Sequence, residues 1–251
     1  MEIILLRGLG RESAHWGAFT TSLHNALAQL SEVTITCIEF PGCGELITQH
    51  ACTSIAAMTQ HARQTYQAKV TDRKPILIGL SMGAMVALDW AQTYPKEIAR
   101  VILINSSLGE QPWHRRLRLR ALPYALAALF CPMLLRERLI LRLVSNETNQ
   151  SVFDQNLKQW QEIQRHRPVA RRNLITMLSC ASRFKAQNLC EVQGLIIASQ
   201  ADRLVSVKCS QAIAKKFQWP IILHNSAGHD LPMDDAEWLS GVIADWLKNV
   251  G

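Results

Sequence analysis

Ser81 lies in the pentapeptide Gly-Leu-Ser-Met-Gly at residues 79–83, a spacing that can turn a serine hydroxyl into a nucleophile. A short apolar run of β-strand character, 75–78, precedes it, and an apolar run of helical character, 84–88, follows it. Where a strand turns sharply into a helix, the serine backbone is strained, the glycines leave room for neighbouring chain, and the hydroxyl projects above the sheet edge. The motif therefore predicts nucleophilic catalysis at Ser81.

A serine hydroxyl needs a base that removes its proton and an acid that orients the base. Among the eight histidines, only His229 lies in a glycine-containing loop between the last apolar strand run and the last helical stretch. We therefore predict that His229 is the general base.

Asp202 is the predicted acid, because it follows the apolar run 195–198 near the end of an earlier strand. The rival position, after the run 101–104, carries Asn-Ser-Ser and no carboxylate. The acids at 230, 234 and 235 follow His229 too closely, and those at 234 and 235 are interpreted as favourable to the dipole of the last helix.

Strands and helices are expected to alternate along most of the chain. Short continuous apolar runs predict strands at 3–6, 33–38, 75–78, 101–104, 195–198 and 220–223. Helical spacing predicts helices near 14–30, 52–70, 82–94, 208–217 and 235–249. This alternation is typical of a parallel sheet covered on both faces.

The motif around Ser81 and the alternation along nearly the whole chain resemble the α/β-hydrolase family. The resemblance implies an α/β fold with a mostly parallel sheet of about six strands flanked by helices and a helical cap insertion. The family's opening hairpin is expected to be missing, since the first predicted strand begins within the first three residues. The order Ser81, Asp202, His229 matches the family order of nucleophile, acid and base.

The same resemblance implies an oxyanion hole. The segment Arg-Gly-Leu-Gly at 7–10 looks like the family's loop after its third strand, and Pro-Gly-Cys-Gly at 41–44 is similar to the turn after the next strand. The backbone N–H groups of Leu9 and Met82 would then bind the oxyanion. Arg7 stands where the family commonly has histidine, and its guanidinium could serve nearby carbonyls or meet an acid of the substrate.

Residues 110–190 contain no strand candidate and interrupt the alternation. We expect a hydrolase core at 1–109 and 191–251 and a helical cap at 110–190. The apolar run 121–130 would form the ceiling of an acyl pocket or, equally, pack only against the core.

The insertion holds 14 Lys and Arg against five acids, a net charge of +9, whereas the rest of the chain has −2. Clustered arginines suggest an acidic partner that docks over the site, such as an acyl carrier protein, through Arg115, Arg116, Arg138 and Arg142. The alternative is that the arginines serve solubility and salt bridges within the insertion. No nucleic-acid motif is visible, so no nucleic-acid partner is expected.

The predicted activity is hydrolysis of a carboxylic ester through an acyl-enzyme. Within the family, the short chain, its abbreviated start and the basic insertion look like the carboxylesterases that demethylate pimeloyl-acyl-carrier-protein methyl ester in biotin synthesis. A thioesterase, or a general esterase or lipase of short to medium acyl chains, would use the same residues. A binding module that keeps the pocket without turnover is the second class of function.

Composition bounds the setting of this chemistry. The seven cysteines form no CxxC pair or metal-ligand cluster and are interpreted as reduced thiols, so no metal is expected, and the mechanism implies no cofactor. No basic export signal precedes the first apolar run, and the stretch 121–135 is too short, and too interrupted by prolines, for a membrane span. We expect a cytoplasmic protein.

Overall fold

The computed structural model describes residues 1–67 and 73–249, with the side chain of Leu129 left out. The predicted helical stretch 52–70 therefore lies partly outside the described residues, at 68–70, as does the Leu129 side chain within the predicted ceiling 121–130.

The described residues form a six-stranded, all-parallel sheet in the order β2-β1-β3-β4-β5-β6. Its strands are β1 (Glu2–Leu6), β2 (Thr34–Ile38), β3 (Ile76–Leu80), β4 (Arg100–Ile104), β5 (Gly194–Ser199) and β6 (Ile221–His224). Each predicted strand run coincides with one of them, and the predicted fold is confirmed.

Helices connect and cover these strands. They are α1 (Phe19–Ala28), α2 (Ile55–Gln67), α3 (Met82–Thr93), α4 (Trp113–Arg116), α5 (Leu122–Phe130), α6 (Met133–Val144), α7 (Gln150–His166), α8 (Arg171–Arg183), α9 (Val207–Phe217), α10 (Leu231–Asp234) and α11 (Ala236–Asn249). Short 3₁₀ helices lie at Ser13–Trp16, Gly44–Leu46, Pro95–Glu97 and Leu119–Ala121. The predicted helix at 14–30 is divided, because Gly17 has a positive φ of 52° between the 3₁₀ turn and α1.

Two apolar layers hold the sheet between helices. Successive side chains of a strand point to opposite faces, so Ile4 and Leu6 of β1 join the layer formed with α2, α3 and α9. Ile3 and Leu5 join the opposite layer, which contains α1 and α11. Continuous apolar runs such as 76–80 are therefore buried on both faces, which explains why they lack a polar side.

The segment between β4 and β5 contains helices and no strand within its described residues. Part of it forms an apolar cluster of its own, in which Leu141 of α6 packs with Phe153 and Trp160 of α7. Part of the surface of α5 remains accessible, since Leu126 and Phe130 are 51% and 77% exposed. The predicted ceiling 121–130 thus presents part of its apolar surface to solvent.

Candidate active site

Ser81 occupies a strained turn at the carboxyl end of β3. Its φ of 56° and ψ of −115° lie outside the ordinary regions for a residue with a side chain, and α3 begins at the next residue. The Ser81 N–H donates to the carbonyl of Ile104, and its own carbonyl accepts from the Ala84 N–H and the Ser106 hydroxyl. These bonds hold the strained backbone in place on both sides.

The glycines at 79 and 83 are required by close backbone approach. A Cβ at Gly83 would lie 2.0 Å from the carbonyl oxygen of Leu6, and one at Gly79 would lie 2.5 Å from the backbone of Ala84. No side chain fits at either position without displacing main chain. The Gly-x-Ser-x-Gly spacing is therefore a consequence of packing β3, α3 and the end of β1 together.

Asp202 and His229 are brought together from two loops at the same sheet edge. The Asp202 Oδ2 lies 2.7 Å from the His229 Nδ1, and both side chains are buried. The other carboxylate oxygen, Oδ1, accepts from the N–H groups of Leu204 at 2.7 Å and Val205 at 2.9 Å. The carboxylate is thus fixed by its own loop and directed at the imidazole.

Burial and the neighbouring carboxylate act in opposite directions on His229. Burial disfavours the imidazolium, but the charge and hydrogen bond of Asp202, with a smaller contribution from Asp230, outweigh it and raise the pKa of His229. With Nδ1 facing Asp202, the other ring nitrogen, Nε2, is the one available to exchange a proton with a nucleophile.

The loop after β4 bonds to both the serine and the histidine segments. The sequence did not predict this connection. The Asn105 side chain, at a positive φ of 46°, donates to the carbonyl of His229 at 2.9 Å. The neighbouring Ser106 hydroxyl donates to the carbonyl of Ser81 at 2.9 Å. The Asn-Ser-Ser run at the strand end is the sequence signal for these contacts, because its polar side chains follow a buried strand although none is a carboxylate.

Arg7 forms a buried ion pair with Asp230, the residue after His229. Its Nη1 and Nη2 lie 3.1 and 2.6 Å from the two carboxylate oxygens, and the guanidinium stands 4.8 Å from the centre of the Trp16 ring. Both charged side chains are at most 5% exposed. The Arg7 side chain is therefore occupied by a protein carboxylate.

The segment predicted to carry the oxyanion hole lies against the serine. A Cβ on Gly8 would be 3.4 Å from the Ser81 Cβ and 3.9 Å from its Oγ, so the backbone that leads into Leu9 passes the nucleophile. Met82, the other predicted donor, is buried as the first residue of α3. The assignment of their N–H groups to an oxyanion stays a prediction.

The interpretation of Asp234 as a dipole partner of the last helix is wrong. Asp234 ends α10, and its carboxylate accepts from the Ser145 hydroxyl at 2.6 Å and the N–H groups of Asn146 and Gly228 at 2.9 and 2.6 Å. It joins the end of α6 to the histidine loop, and burial raises its pKa. Asp235 precedes α11 and accepts from the Trp238 N–H, as expected of an acid at a helix start.

Ion pairs also connect the helical segment to the residues after β1. Arg11 places Nη1 2.6 Å from the Glu137 carboxylate of α6 and its guanidinium 4.1 Å from the centre of the Trp160 ring. Glu12 pairs with Arg167, which follows α7. The helical segment is thus fixed against the loop that passes Ser81.

The predicted docking arginines differ in their surroundings. Arg115, Arg138 and Arg142 are exposed. Arg116 is partly buried and donates to the carbonyls of Ala181 at 2.6 Å and Ser182 at 2.9 Å, so it supports the end of α8. A role of the four in binding a partner stays a prediction.

Three further properties bear on the chemistry. In the part of the chain that the structure describes, no group of three or more His, Cys, Asp or Glu side chains is placed to hold a metal ion. No described helix combines the length and hydropathy that crossing a bilayer requires. All seven cysteines are free, as predicted.

Sequence comparison identifies the family. The alpha/beta hydrolase family matches residues 3–242, and the chain belongs to it. The predictions of this family and of a hydrolase are confirmed.

One curated relative and several solved structures show how far the likeness extends. The biotin biosynthesis bifunctional protein BioHC of Teredinibacter turnerae is 26% identical over 122 residues, which cover 44% of this chain and 20% of the relative, so the match spans about a fifth of that protein's length. A thermophilic esterase from Thermogutta terrifontis superposes with a TM-score of 0.71 at 17% identity, covering 100% and 90% of the two chains.

The 2-hydroxy-6-oxo-6-phenylhexa-2,4-dienoate hydrolase of Rhodococcus sp. strain RHA1 gives a TM-score of 0.79 at 17% identity, covering 98% and 90%. At such identities, the two structures show that the fold is shared.

Proposed function

We propose that the protein is a serine carboxyl-ester hydrolase in which Ser81, His229 and Asp202 form the catalytic triad. The observation that carries the proposal is the buried 2.7 Å contact between Asp202 and His229 at the sheet edge where Ser81 is held in a strained turn. Family membership supports it.

The reaction has two steps. The Ser81 Oγ attacks the ester carbonyl while His229 Nε2 takes its proton, and the N–H groups of Leu9 and Met82 stabilise the oxyanion. The alcohol leaves with the proton from His229, which forms the acyl-enzyme. Water then attacks the acyl group, passes a proton to His229, and releases the carboxylic acid and the regenerated serine. Asp202 keeps the imidazole in the productive tautomer throughout.

Residues 110–190 form the cap of this site in our proposal, and 1–109 with 191–251 form the core. The contacts of Arg11 with Glu137 and of Glu12 with Arg167 support this division, since they fix the helices beside the oxyanion segment. The cytoplasm is the proposed compartment, in agreement with the free cysteines.

For the substrate, we propose a methyl ester of a pimeloyl chain on acyl carrier protein. The likeness to a relative named for biotin biosynthesis supports this choice, together with the exposed arginines at 115, 138 and 142. These arginines, with Arg116, would dock the acidic carrier.

Hydrolysis of a p-nitrophenyl ester tests the proposed activity. The wild-type enzyme should hydrolyse this ester. The variants Ser81→Ala and His229→Ala should each have a kcat about 10⁶-fold lower, because nucleophile and base act as a unit. The exposed residues Ser151 and His166 offer matched controls, so Ser151→Ala and His166→Ala should behave as wild type. Substantial activity in Ser81→Ala would exclude the mechanism, and an inactive but folded wild type would favour a binding module.

The substrate is tested separately by growth of a biotin-requiring strain that lacks its methyl esterase. The wild-type gene should restore growth without biotin, whereas Ser81→Ala should not. A protein that cleaves the p-nitrophenyl ester but gives no rescue would be an esterase of another substrate.

A further inference from the structure

A cavity whose lining does not include Ser81 lies between the helical segment and the loop that carries Asp202. It is partly open to solvent and has a volume of about 640 Å³, a size typical of small-molecule sites. Its described lining includes residues from α5, α6 and α7 together with Gln200, Ala201 and Arg203, but not Ser81, Asp202 or His229. We call it the arginine pocket.

Four arginines line the arginine pocket: Arg118, Arg120, Arg142 and Arg203. Glu147 is the only acid among the described lining residues, so the wall carries a net charge of +3. Like charges that face one cavity repel each other, and the repulsion is stronger at a protein surface than in bulk water. An anion bound between the guanidiniums would relieve that repulsion.

Two of the guanidiniums are held in place by backbone carbonyls of the protein. Arg118 donates through Nη1 to the carbonyl of Asp202 at 2.7 Å, and Arg203 donates through Nη2 to the carbonyl of Ser145. A guanidinium carries several further N–H groups in a fixed plane, so both side chains can offer oriented donors to a ligand. Fixed donors lose little conformational entropy on binding.

The other two guanidiniums have no hydrogen-bond or ion-pair partner within the described residues. Arg120 is exposed, and Arg142 lies 5.8 Å from the centre of the Phe153 ring. Several other arginines of the helical segment, by contrast, are paired, as Arg136 is with Glu137 and Arg165 with Glu162. Two unpaired guanidiniums therefore belong to the lining of this pocket.

Part of the wall is apolar. Tyr124 and Phe153 contribute aromatic rings, and Leu143 of α6 follows Arg142 in the chain. Planar guanidiniums bind phosphate through paired N–H groups, and aromatic rings pack against a planar apolar group. The chemistry of the wall therefore matches a ligand that joins a phosphate to an apolar or aromatic part.

We propose that the arginine pocket is a binding site for a small organic phosphate. The site does not depend on ester hydrolysis, because its lining contains neither the proposed nucleophile nor the proposed base.

Calorimetric titration with phenyl phosphate tests the proposal, with inorganic phosphate and phenol as partial probes. Phenyl phosphate should saturate one site per chain, inorganic phosphate should bind more weakly, and phenol weaker still. The Arg120→Gln substitution should lower the affinity for phenyl phosphate about tenfold, as expected for a lost charge-assisted hydrogen bond. Arg172→Gln, on an exposed arginine of α8 outside the pocket lining, is the matched control and should bind as wild type.

Ser81→Ala should bind phenyl phosphate as wild type does, which separates this site from the proposed catalytic one. The proposal would be overturned if phenyl phosphate showed no saturable binding. It would also be overturned if Arg120→Gln bound phenyl phosphate as tightly as wild type, or if Arg172→Gln lost as much affinity as Arg120→Gln. Binding of phenol as tight as that of phenyl phosphate would overturn the assignment of phosphate.

Discussion

Arg7 and Asp230 form a two-point ion pair that joins the end of β1 to the residue after His229, across 223 positions of sequence. The pair is buried, with Nη2 2.6 Å from Oδ2, and it sits beside the Asp202–His229 contact. Asp230 adds to the forces that raise the pKa of His229, whereas Arg7 lowers it. The pair therefore both positions the histidine loop and balances its charge.

Removing one partner of this pair should destabilise the protein strongly. Arg7→Met leaves Asp230 buried without a cation, which typically costs about 3–5 kcal/mol. Urea unfolding measures the loss, and the double variant Arg7→Met/Asp230→Leu should recover much of it, since no lone charge remains. Arg165→Met, which breaks an exposed pair with Glu162, should change the free energy of unfolding little. Equal effects of Arg7→Met and Arg165→Met would contradict the role of burial.

The raised pKa of His229 predicts the pH dependence of hydrolysis. The base must be neutral to accept the Ser81 proton, so kcat/KM should rise with pH through a midpoint above the ordinary histidine value of about 6.5. In Asp202→Asn the attraction is lost while burial remains, so the midpoint should move to lower pH and the plateau should fall. Profiles of kcat/KM against pH for wild type and Asp202→Asn on the same ester measure the two midpoints. An unchanged midpoint in Asp202→Asn would show that another group titrates.

The raised pKa of His229 also predicts how the stability of the fold depends on pH. Since the folded state holds the His229 proton more tightly than the unfolded chain, the added stability is fully present below the unfolded pKa and is lost as pH rises through the folded pKa. Unfolding of Ser81→Ala across this range should show a decrease toward higher pH that His229→Gln lacks.

Local sequence patterns were sufficient to predict the strands and to select the three residues that we propose as the triad. Each strand is a short apolar run because both faces of the parallel sheet are covered, and Ser81 stands in a motif that packing of Gly79 and Gly83 imposes. His229 and Asp202 could be found because they follow strand ends at one edge of the sheet.

Partners that are distant in sequence could not be predicted in the same way. The pairing of Arg7 with Asp230 depends on where two loops meet in the folded chain, and no local spacing encodes it. The prediction for Asp234 is wrong because its position near a helix start indicates a dipole contact, whereas the Ser145 hydroxyl and the N–H groups of Asn146 and Gly228 bind its carboxylate. Tertiary contacts decided both cases.

Two glycines provide a matched test of the turn that holds Ser81. Gly83→Ala would place a Cβ 2.0 Å from the Leu6 carbonyl oxygen, so the backbone must move and stability should fall by about 1–3 kcal/mol or more. Gly241→Ala in α11 meets nothing within 4 Å and should raise stability by about 1 kcal/mol through helix propensity. Thermal unfolding compares the two. A Gly83→Ala protein as stable and active as wild type would show that the close approach is dispensable.

The last prediction concerns the docking of an acidic carrier on the helical segment. Arg138 and Arg142 are exposed on α6 at i, i+4 spacing, so they lie on one face of the helix. The variant Arg138→Glu/Arg142→Glu should slow hydrolysis of a carrier-linked ester at least about tenfold, because rim charges mainly accelerate encounter with a charged partner. A p-nitrophenyl ester should be cleaved at the wild-type rate.

Since Arg142 also lines the arginine pocket, Arg138→Glu alone should show the same effect in smaller measure, and Arg172→Glu on α8 is the matched control. Added salt should depress the wild-type rate on the carrier substrate, because screening acts beyond about 8 Å at physiological ionic strength. It should leave the p-nitrophenyl ester nearly unaffected. Equal salt sensitivity on both substrates, or equal loss of both activities in the reversed variants, would mean that the arginines support the fold of the helical segment and bind no acidic protein.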